Sequence, residues 1–382
     1  MAEGEFIICT ASAAVKPWVF KPHPRGVRGV YAGGNHRQAL EESLKKRASA
    51  QRMKLKNINR DNIFAILDTD PKPWQKNYLA MYSTQWDGYT RDPALMTVPF
   101  DDHLVHRGDG VFESMRCVRG RIYQMEAHLE RLENSAGAIE LEMPAEYENV
   151  RDILGSLVVL GGRKDCVIRV VLSRGPGSYN INPADCPASQ MYLVVIAYSG
   201  VPEEILQKGT CVITSRIPTK RSFFARIKSC NYLPNVLMKM EAAKAGCPYA
   251  VALDDSGFLA EGSTESIGVV SDDGILKFPG LERTLAGITV KGAWRMAETL
   301  VSRGLLSGVR FDRIAPDEAY RSREVILLGT SINVLPVVRF DDRVIGDGRP
   351  GPVSSELNRL LWMDMTENPS ALTDLDWADQ AD

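Results

Sequence analysis

The chain lacks any apolar run of the ~18–20 residues that a bilayer-spanning helix needs, and its net charge is only -2 over 382 residues. The first absence argues against a membrane protein. The second removes any electrostatic reason to expect nucleic acid or an anionic membrane as partner. Cysteines are scarce: seven, at 9, 117, 166, 186, 211, 230 and 247, with no close pair at redox or metal-ligand spacing. An odd, scattered set fits reduced thiols better than a disulfide framework. The five histidines show no metal spacing either, so no metal is expected. The start, Met1-Ala-Glu-Gly-Glu-Phe-Ile-Ile-Cys-Thr10, carries acid where a secretory leader needs base. These features read as a soluble, cytoplasmic protein.

What is present suggests two domains and an extension, the natural division for a chain of this length. Residues 1–75 read as an amino-terminal arm and helix: 1–35 are rich in Gly, Pro and basic residues, and Leu40, Leu44 and Ala48 mark one amphipathic helix. A small α+β domain is expected over 76–197. In it Phe112 to Gly120 and Arg121 to Gln124 read as two strands, and Met125, Leu129, Leu132 and Ala136 fall at helical spacing. A linker over 198–205 leads to a larger domain, 206–366. Its strands include Cys211–Ser215, Ala250–Asp254 and Ser266–Ser271, with Asp273-Gly274 as a hairpin turn. Helices are expected from Thr289 and around Leu357, Leu360, Leu361 and Met365, the latter capped by Ser354 or Ser355. The tail, 367–382, holds five acids and no base and is expected to be disordered.

The informative segments are Ile227-Lys-Ser-Cys-Asn-Tyr-Leu233, just before a helical pattern, and Leu259-Ala-Glu-Gly-Ser-Thr-Glu-Ser-Ile267. A desolvated lysine can form an imine with an aldehyde cofactor, and a carboxylate can hold that cofactor's ring nitrogen protonated. Lys228 and Glu261 are the candidates, with Glu265 competing for the second role. Together they suggest pyridoxal 5'-phosphate chemistry. A phosphate needs a cation or free backbone amides. Ala286-Gly-Ile-Thr289 leads into a helix and Gly329-Thr-Ser331 follows a strand, and both offer amides. Thr289 also reads as a simple cap, and Arg131 as either a phosphate anchor or a surface residue.

Taken in order, His106-Arg-Gly-Asp-Gly-Val-Phe-Glu-Ser114, His128-Leu-Glu-Arg-Leu132, Lys228-Ser-Cys-Asn-Tyr-Leu233, Glu261-Gly-Ser-Thr-Glu265, Gly287-Ile-Thr289 and Leu328-Gly-Thr-Ser331 resemble the fold-type IV pyridoxal-phosphate aminotransferases. That family contains branched-chain aminotransferases, D-amino-acid transaminases and aminodeoxychorismate lyases. Met81-Tyr-Ser83 and Pro99 to Gly108 look most like the plant-type D-amino-acid transaminase/lyase subgroup. The resemblance implies a two-domain α+β fold with a smaller α/β domain, a larger pseudo-barrel domain and here an amino-terminal extension. It implies Lys228 as the Schiff-base lysine and proton shuttle, and Glu261 at the pyridine nitrogen. Arg131, Gly287, Ile288, Thr289 and Thr330 would hold the phosphate, and Tyr232 would face the cofactor. Thr330 and Ser331 would meet the substrate carboxylate, with Arg174 and Tyr179 as further substrate contacts. The implied partners are an amino acid (branched-chain L- or D-) and a 2-keto acid, on a homodimer. A lyase releasing pyruvate is the alternative, suggested by Arg174 and Tyr179. A non-catalytic dimeric binding protein is the remaining one.

Overall fold

The computed structural model describes residues 55–377. The expected helix at Leu40–Ala48 lies outside them. Of the described residues, 55–62 belong to one unit and 63–377 to another. In the first, Leu55–Asn62 carry local bonds such as Asn62 Nδ2 to the Asn57 carbonyl, 2.9 Å.

The second unit contains two sheets. The first uses β1 (Tyr78–Ser83), β2 (Gly88–Thr90), β3 (Gly110–Val118), β4 (Arg121–Tyr123), β5 (Cys166–Ser173) and β6 (Gln190–Ala197). The second uses β7 (Thr210–Thr214), β8 (Tyr249–Leu253), β9 (Leu259–Gly262), β10 (Ser266–Val270), β11 (Ile275–Pro279), β12 (Gly308–Asp312), β13 (Glu324–Gly329), β14 (Asn333–Phe340) and β15 (Arg343–Val344). A last strand, β16 (Leu372–Asp374), returns to the first sheet, whose order is β16-β4-β3-β5-β6-β1-β2. All its pairings are antiparallel.

In the second sheet β9 pairs with both β8 and β10, so β10-β13-β14-β7-β8-β9 close on themselves. This is the pseudo-barrel expected of the larger domain. Closure removes the free sheet edges that would otherwise need covering. Its interior is aliphatic, with Val251, Ile267, Leu327 and Leu335 all buried. The helix Ile288–Ser302 and the helix Pro352–Glu367 pack outside it through Val290, Ala297, Leu357 and Leu361. In the first sheet Val111, Met115 and Cys117 point to one side of β3 and bury against Leu129, Leu132 and Leu154 of the helices Met125–Ala138 and Val150–Gly161. The other side of β3 carries Phe112, Ser114 and Arg116. A strand alternates its side chains between two faces, so one element serves a core and a cleft.

Several expectations are corrected. The tail is ordered as far as it is described: β16 adds to β4, and Trp377 Nε1 donates to the Gly120 carbonyl at 2.9 Å. Sheet pairing and one partly buried indole outweigh its acidic composition. The linker is helical from Glu203 onward, in Glu203–Lys208. Neither Ser354 nor Ser355 caps the last helix, which starts at Pro352. Its free amides are taken by the Glu324 carboxylate from β13, with Val353 N at 2.9 Å and Ser354 N at 2.8 Å. Cys211 and Cys247, 36 residues apart, form a disulfide, contrary to the all-reduced reading. No helix among the described residues is long and apolar enough to cross a membrane.

Candidate active site

Lys228 lies between the short helix Ser222–Ala225 and the helix Leu233–Lys244. Its segment is pinned along β3 as a stub of extra strand. The Phe112 amide donates to the Lys228 carbonyl at 2.9 Å, and the Cys230 amide to the Gly110 carbonyl at 2.9 Å. The side chain therefore leaves an extended backbone toward the cleft face of β3, where its Nζ lies 4.7 Å from the centre of the Phe112 ring. Burial, then the nearby Arg131 charge, lowers the Lys228 pKa to about 8. A lysine so shifted supplies free amine near neutrality.

Glu261 sits on β9 opposite Ser266. Its Oε2 accepts from the Leu285 amide at 3.1 Å, and burial raises its pKa. Glu265, the competitor, is spent on its own turn. Its carboxylate accepts from the Thr264 amide at 2.9 Å, from the Ser263 hydroxyl at 3.2 Å, and from the Thr264 hydroxyl. Lys228, Tyr232 and Glu261 line one small cavity of about 40 Å³. It adjoins a cleft of about 520 Å³ that Lys228 and Tyr232 share with Phe112, Arg169, Thr330 and Ser331.

Arg131 is not a surface residue. Its Nε and Nη2 reach the two oxygens of Glu113 at 2.6 and 2.9 Å, and Nη1 reaches the Ala286 carbonyl at 3.1 Å. Glu113 also accepts from His128 Nδ1 at 2.6 Å. Burial alone would raise the Glu113 pKa, but the His128 bond and the Arg131 charge overcome it and hold the carboxyl at about 2. His128 is itself pushed down by burial and stays neutral, so Nδ1 carries the proton it donates. Three of five guanidinium N–H groups are thus committed, and one on each terminal nitrogen remains. The Ala286 contact sets this fork beside Gly287, the N-cap of the helix Ile288–Ser302. The Ile288 and Thr289 amides fall in that helix's first turn, where the helix supplies no acceptor.

Gly329, Thr330 and Ser331 make the tight turn between β13 and β14, closed by the Ile332 amide on the Gly329 carbonyl at 3.1 Å. The Tyr198 hydroxyl donates to the Ser331 carbonyl and steadies the turn.

Arg174 and Tyr179 are not brought to this cleft, against expectation. Arg174 holds Asp109 through Nε at 3.2 Å and Nη2 at 3.1 Å, and donates to the carbonyls of Glu140 and Ile139 at 2.7 and 2.8 Å. It satisfies the end of the helix Met125–Ala138, a common use for arginine. Tyr179 is 60% exposed and packs on His106 and Phe100.

Sequence reasoning assigned no role to Arg169, Glu113, His128 or Lys220. Arg169 had a signal: a lone charge inside the apolar run Val167–Leu172, on the same strand face as Val167 and Val171. It pairs across the ladder with Ser114 and lines the cleft.

Comparison with known proteins gives a concordant picture. The family model described as "Amino-transferase class IV" matches residues 110–340. A chloroplastic D-amino-acid transaminase of Arabidopsis thaliana is 37% identical over 298 residues, 78% of this chain and 79% of its own length. The D-alanine aminotransferase of Bacillus licheniformis is 26% identical over 280 residues, 72% and 94% of the two chains. Among solved structures, a branched-chain amino acid aminotransferase with pyridoxamine 5'-phosphate superposes with a TM-score of 0.73 at 27% identity, covering 78% of this chain and 99% of that one. The 4-amino-4-deoxychorismate lyase of Pseudomonas aeruginosa shares the fold at a TM-score of 0.61 and 23% identity, covering 74% and 97%.

Proposed function

The chain belongs to the class IV aminotransferases, which use pyridoxal phosphate to move an amino group from an amino acid to a 2-keto acid, and from that premise we propose which residues do the work and on which substrate. The donor set fits the cofactor. A lysine with a lowered pKa and a buried carboxylate share one cavity, and two uncommitted arginine N–H groups lie beside a helix start. Lys228 would hold the aldehyde carbon and Glu261 the ring nitrogen. Arg131, Gly287, Ile288, Thr289 and Thr330 would hold the phosphate, and Tyr232 would flank the ring. When bound, this group supplies an electron sink that makes the substrate Cα–H acidic and stores the amino group between half-reactions.

Each residue's task follows from its surroundings. Lys228, as free amine, takes the proton from Cα and returns it one carbon away, a transfer its pKa of about 8 suits. Glu261 keeps a negative charge against the ring nitrogen. Glu113 orients Arg131 by gripping one edge of its fork and leaving the other for phosphate. The Thr330-Ser331 turn offers backbone amides to the α-carboxylate. Phe112, Val167 and Val171 give the cleft an apolar wall that limits water. Arg169 lines the same cleft beside Lys228, and we assign it to a second carboxylate on one of the two substrates.

For the amino donor we propose a D-amino acid, supported by the 37% likeness to a plant transaminase of that name against 27% for the branched-chain structure. The lyase alternative rested on Arg174 and Tyr179, and neither lies in the cleft. A homodimer is proposed as the working form, supported by an exposed apolar stripe of Leu233, Val236, Leu237 and Met240 on the helix Leu233–Lys244.

One observation carries the reading: Lys228 and Glu261 face the same cavity. The test is to mix the protein with D- and L-amino acids and either 2-oxoglutarate or pyruvate, and to follow keto-acid release and the absorbance band near the visible edge. Turnover of D-alanine or D-aspartate with loss of both signals in Lys228→Ala is expected. Turnover of L-branched-chain donors alone refutes the substrate assignment, and an active Lys228→Ala refutes the site.

A further inference from the structure

Lys220 is a second lysine beside Glu261, with no part in the proton transfers assigned to Lys228. It lies in the loop between β7 and the short helix Ser222–Ala225, and it lines the same small cavity as Lys228, Tyr232 and Glu261. Its ammonium is 4.8 Å from the centre of the Tyr232 ring. An aromatic face compensates a partly desolvated cation without neutralising it. The carboxylate that the Lys220 charge acts on is Glu261.

Glu261 needs such a charge. Among the described residues its carboxylate has one hydrogen bond, from the Leu285 amide, and no ion pair. Burial and the like charge of Glu265 favour the protonated acid; the Leu285 amide, then Lys220, then Lys228 oppose them. Tyr232 also faces it, but as a neutral phenol held so by burial. Lys228 is a poor permanent counter-charge, because its reactive form is the neutral amine. Lys220 has no proton-transfer role that would discharge it; burial lowers its pKa, and the Glu261 charge acts against that.

We propose that Lys220 is a positioning residue that holds Glu261 in its anionic form, so that this carboxylate meets the cofactor's ring nitrogen as an acceptor. The inference deepens the reading of Glu261 as ring-nitrogen partner and rests on it. Its distinguishing consequence concerns one atom of the ligand. Loss of the Lys220 charge weakens only what passes through the ring nitrogen, whereas loss of packing weakens everything.

The test compares two probes on the full chain freed of cofactor: pyridoxal phosphate and its 1-deaza analogue, which has carbon in place of the ring nitrogen. Dissociation constants are measured for wild type, Lys220→Met and Lys220→Arg, with melting curves to verify folding. Wild type is expected to prefer pyridoxal phosphate. Lys220→Met should weaken pyridoxal phosphate about tenfold, the scale of one partly screened charge, and leave the analogue within about twofold. Lys220→Arg keeps the charge and should restore most of the preference. Equal weakening of both probes, or unchanged pyridoxal phosphate affinity in Lys220→Met, overturns the proposal. Should Lys220→Met not fold, an Arg variant that loses the preference while folded overturns it. A wild type that binds both probes alike refutes the Glu261 assignment itself, a separate failure.

Discussion

Replacing Glu113 by glutamine keeps the side chain's shape and removes the charge that organises the phosphate end of the site. Glu113 has no exposed surface, and it accepts two bonds from Arg131 and one from His128. Its pKa falls from 4.5 to about 2 on folding. At 1.36 kcal/mol per unit, that shift corresponds to about 3 kcal/mol of stability at neutral pH. A depressed folded pKa means the contribution is whole above about pH 4.5 and lost as pH falls toward about 2. Glu113→Gln also strands the Arg131 guanidinium, only 13% exposed, without a counter-charge. Breaking such a pair costs on the order of 3–5 kcal/mol, which agrees in size. Urea unfolding at pH 7.5 should therefore place the variant about 3 kcal/mol below wild type. The gap should narrow when both are compared at pH 3, where the unfolded chain holds this carboxyl protonated and folding must release that proton. A gap under about 1 kcal/mol at pH 7.5, or one unchanged at pH 3, would show that the Glu113–Arg131–His128 cluster is not a charged clamp.

Other expectations follow from the same geometry. Cofactor uptake by the apo-protein requires the neutral Lys228 amine, so its rate should rise through about pH 8 and then level; a rate still climbing at pH 10 would mean an unshifted lysine. Arg169→Met should raise KM for dicarboxylic substrates by about 10–100-fold, the loss of one charge-assisted hydrogen bond, and spare monocarboxylic ones; parallel changes for both would remove Arg169 from substrate recognition. Glu324→Ala uncaps the helix Pro352–Glu367 and should cost about 1–2 kcal/mol in denaturant unfolding with little change in kcat; no loss would mean water replaces the cap.

Local signals were legible wherever chemistry and periodicity reside in neighbouring residues. The Lys228 and Glu261 segments, the Asp273-Gly274 turn and the helical face of Leu357 and Leu361 each lie within a few positions of chain. Motif order then named the family, because six short segments in one sequence order are improbable by chance. Failures concentrate where partners are distant in sequence. Composition suggested that the tail would be disordered, yet pairing with β4 is a tertiary event that composition does not register. Ser354 and Ser355 matched a cap by type, while the carboxylate that reaches the Val353 and Ser354 amides comes from Glu324, 29 and 30 residues back along the chain.

The sequence by itself determined which residue types could do the reaction and in what order they come along the chain. The tertiary structure decided which of them meet. Glu261 and Glu265 both line the cavity, but only Glu261 is left open to a ligand because the turn consumes the second carboxylate, and Arg174 is withdrawn because Asp109 and two helix-end carbonyls hold it. Arg169 is presented to the cleft because β5 alternates its faces against a core on the other side. A hydrogen-bonding group is available to a ligand only if its own fold has not already used it. That accounting depends on contacts well separated in sequence, 18 residues for Arg131 with Glu113 and 155 for Arg131 with Ala286, which is why residue type and spacing alone could not supply it.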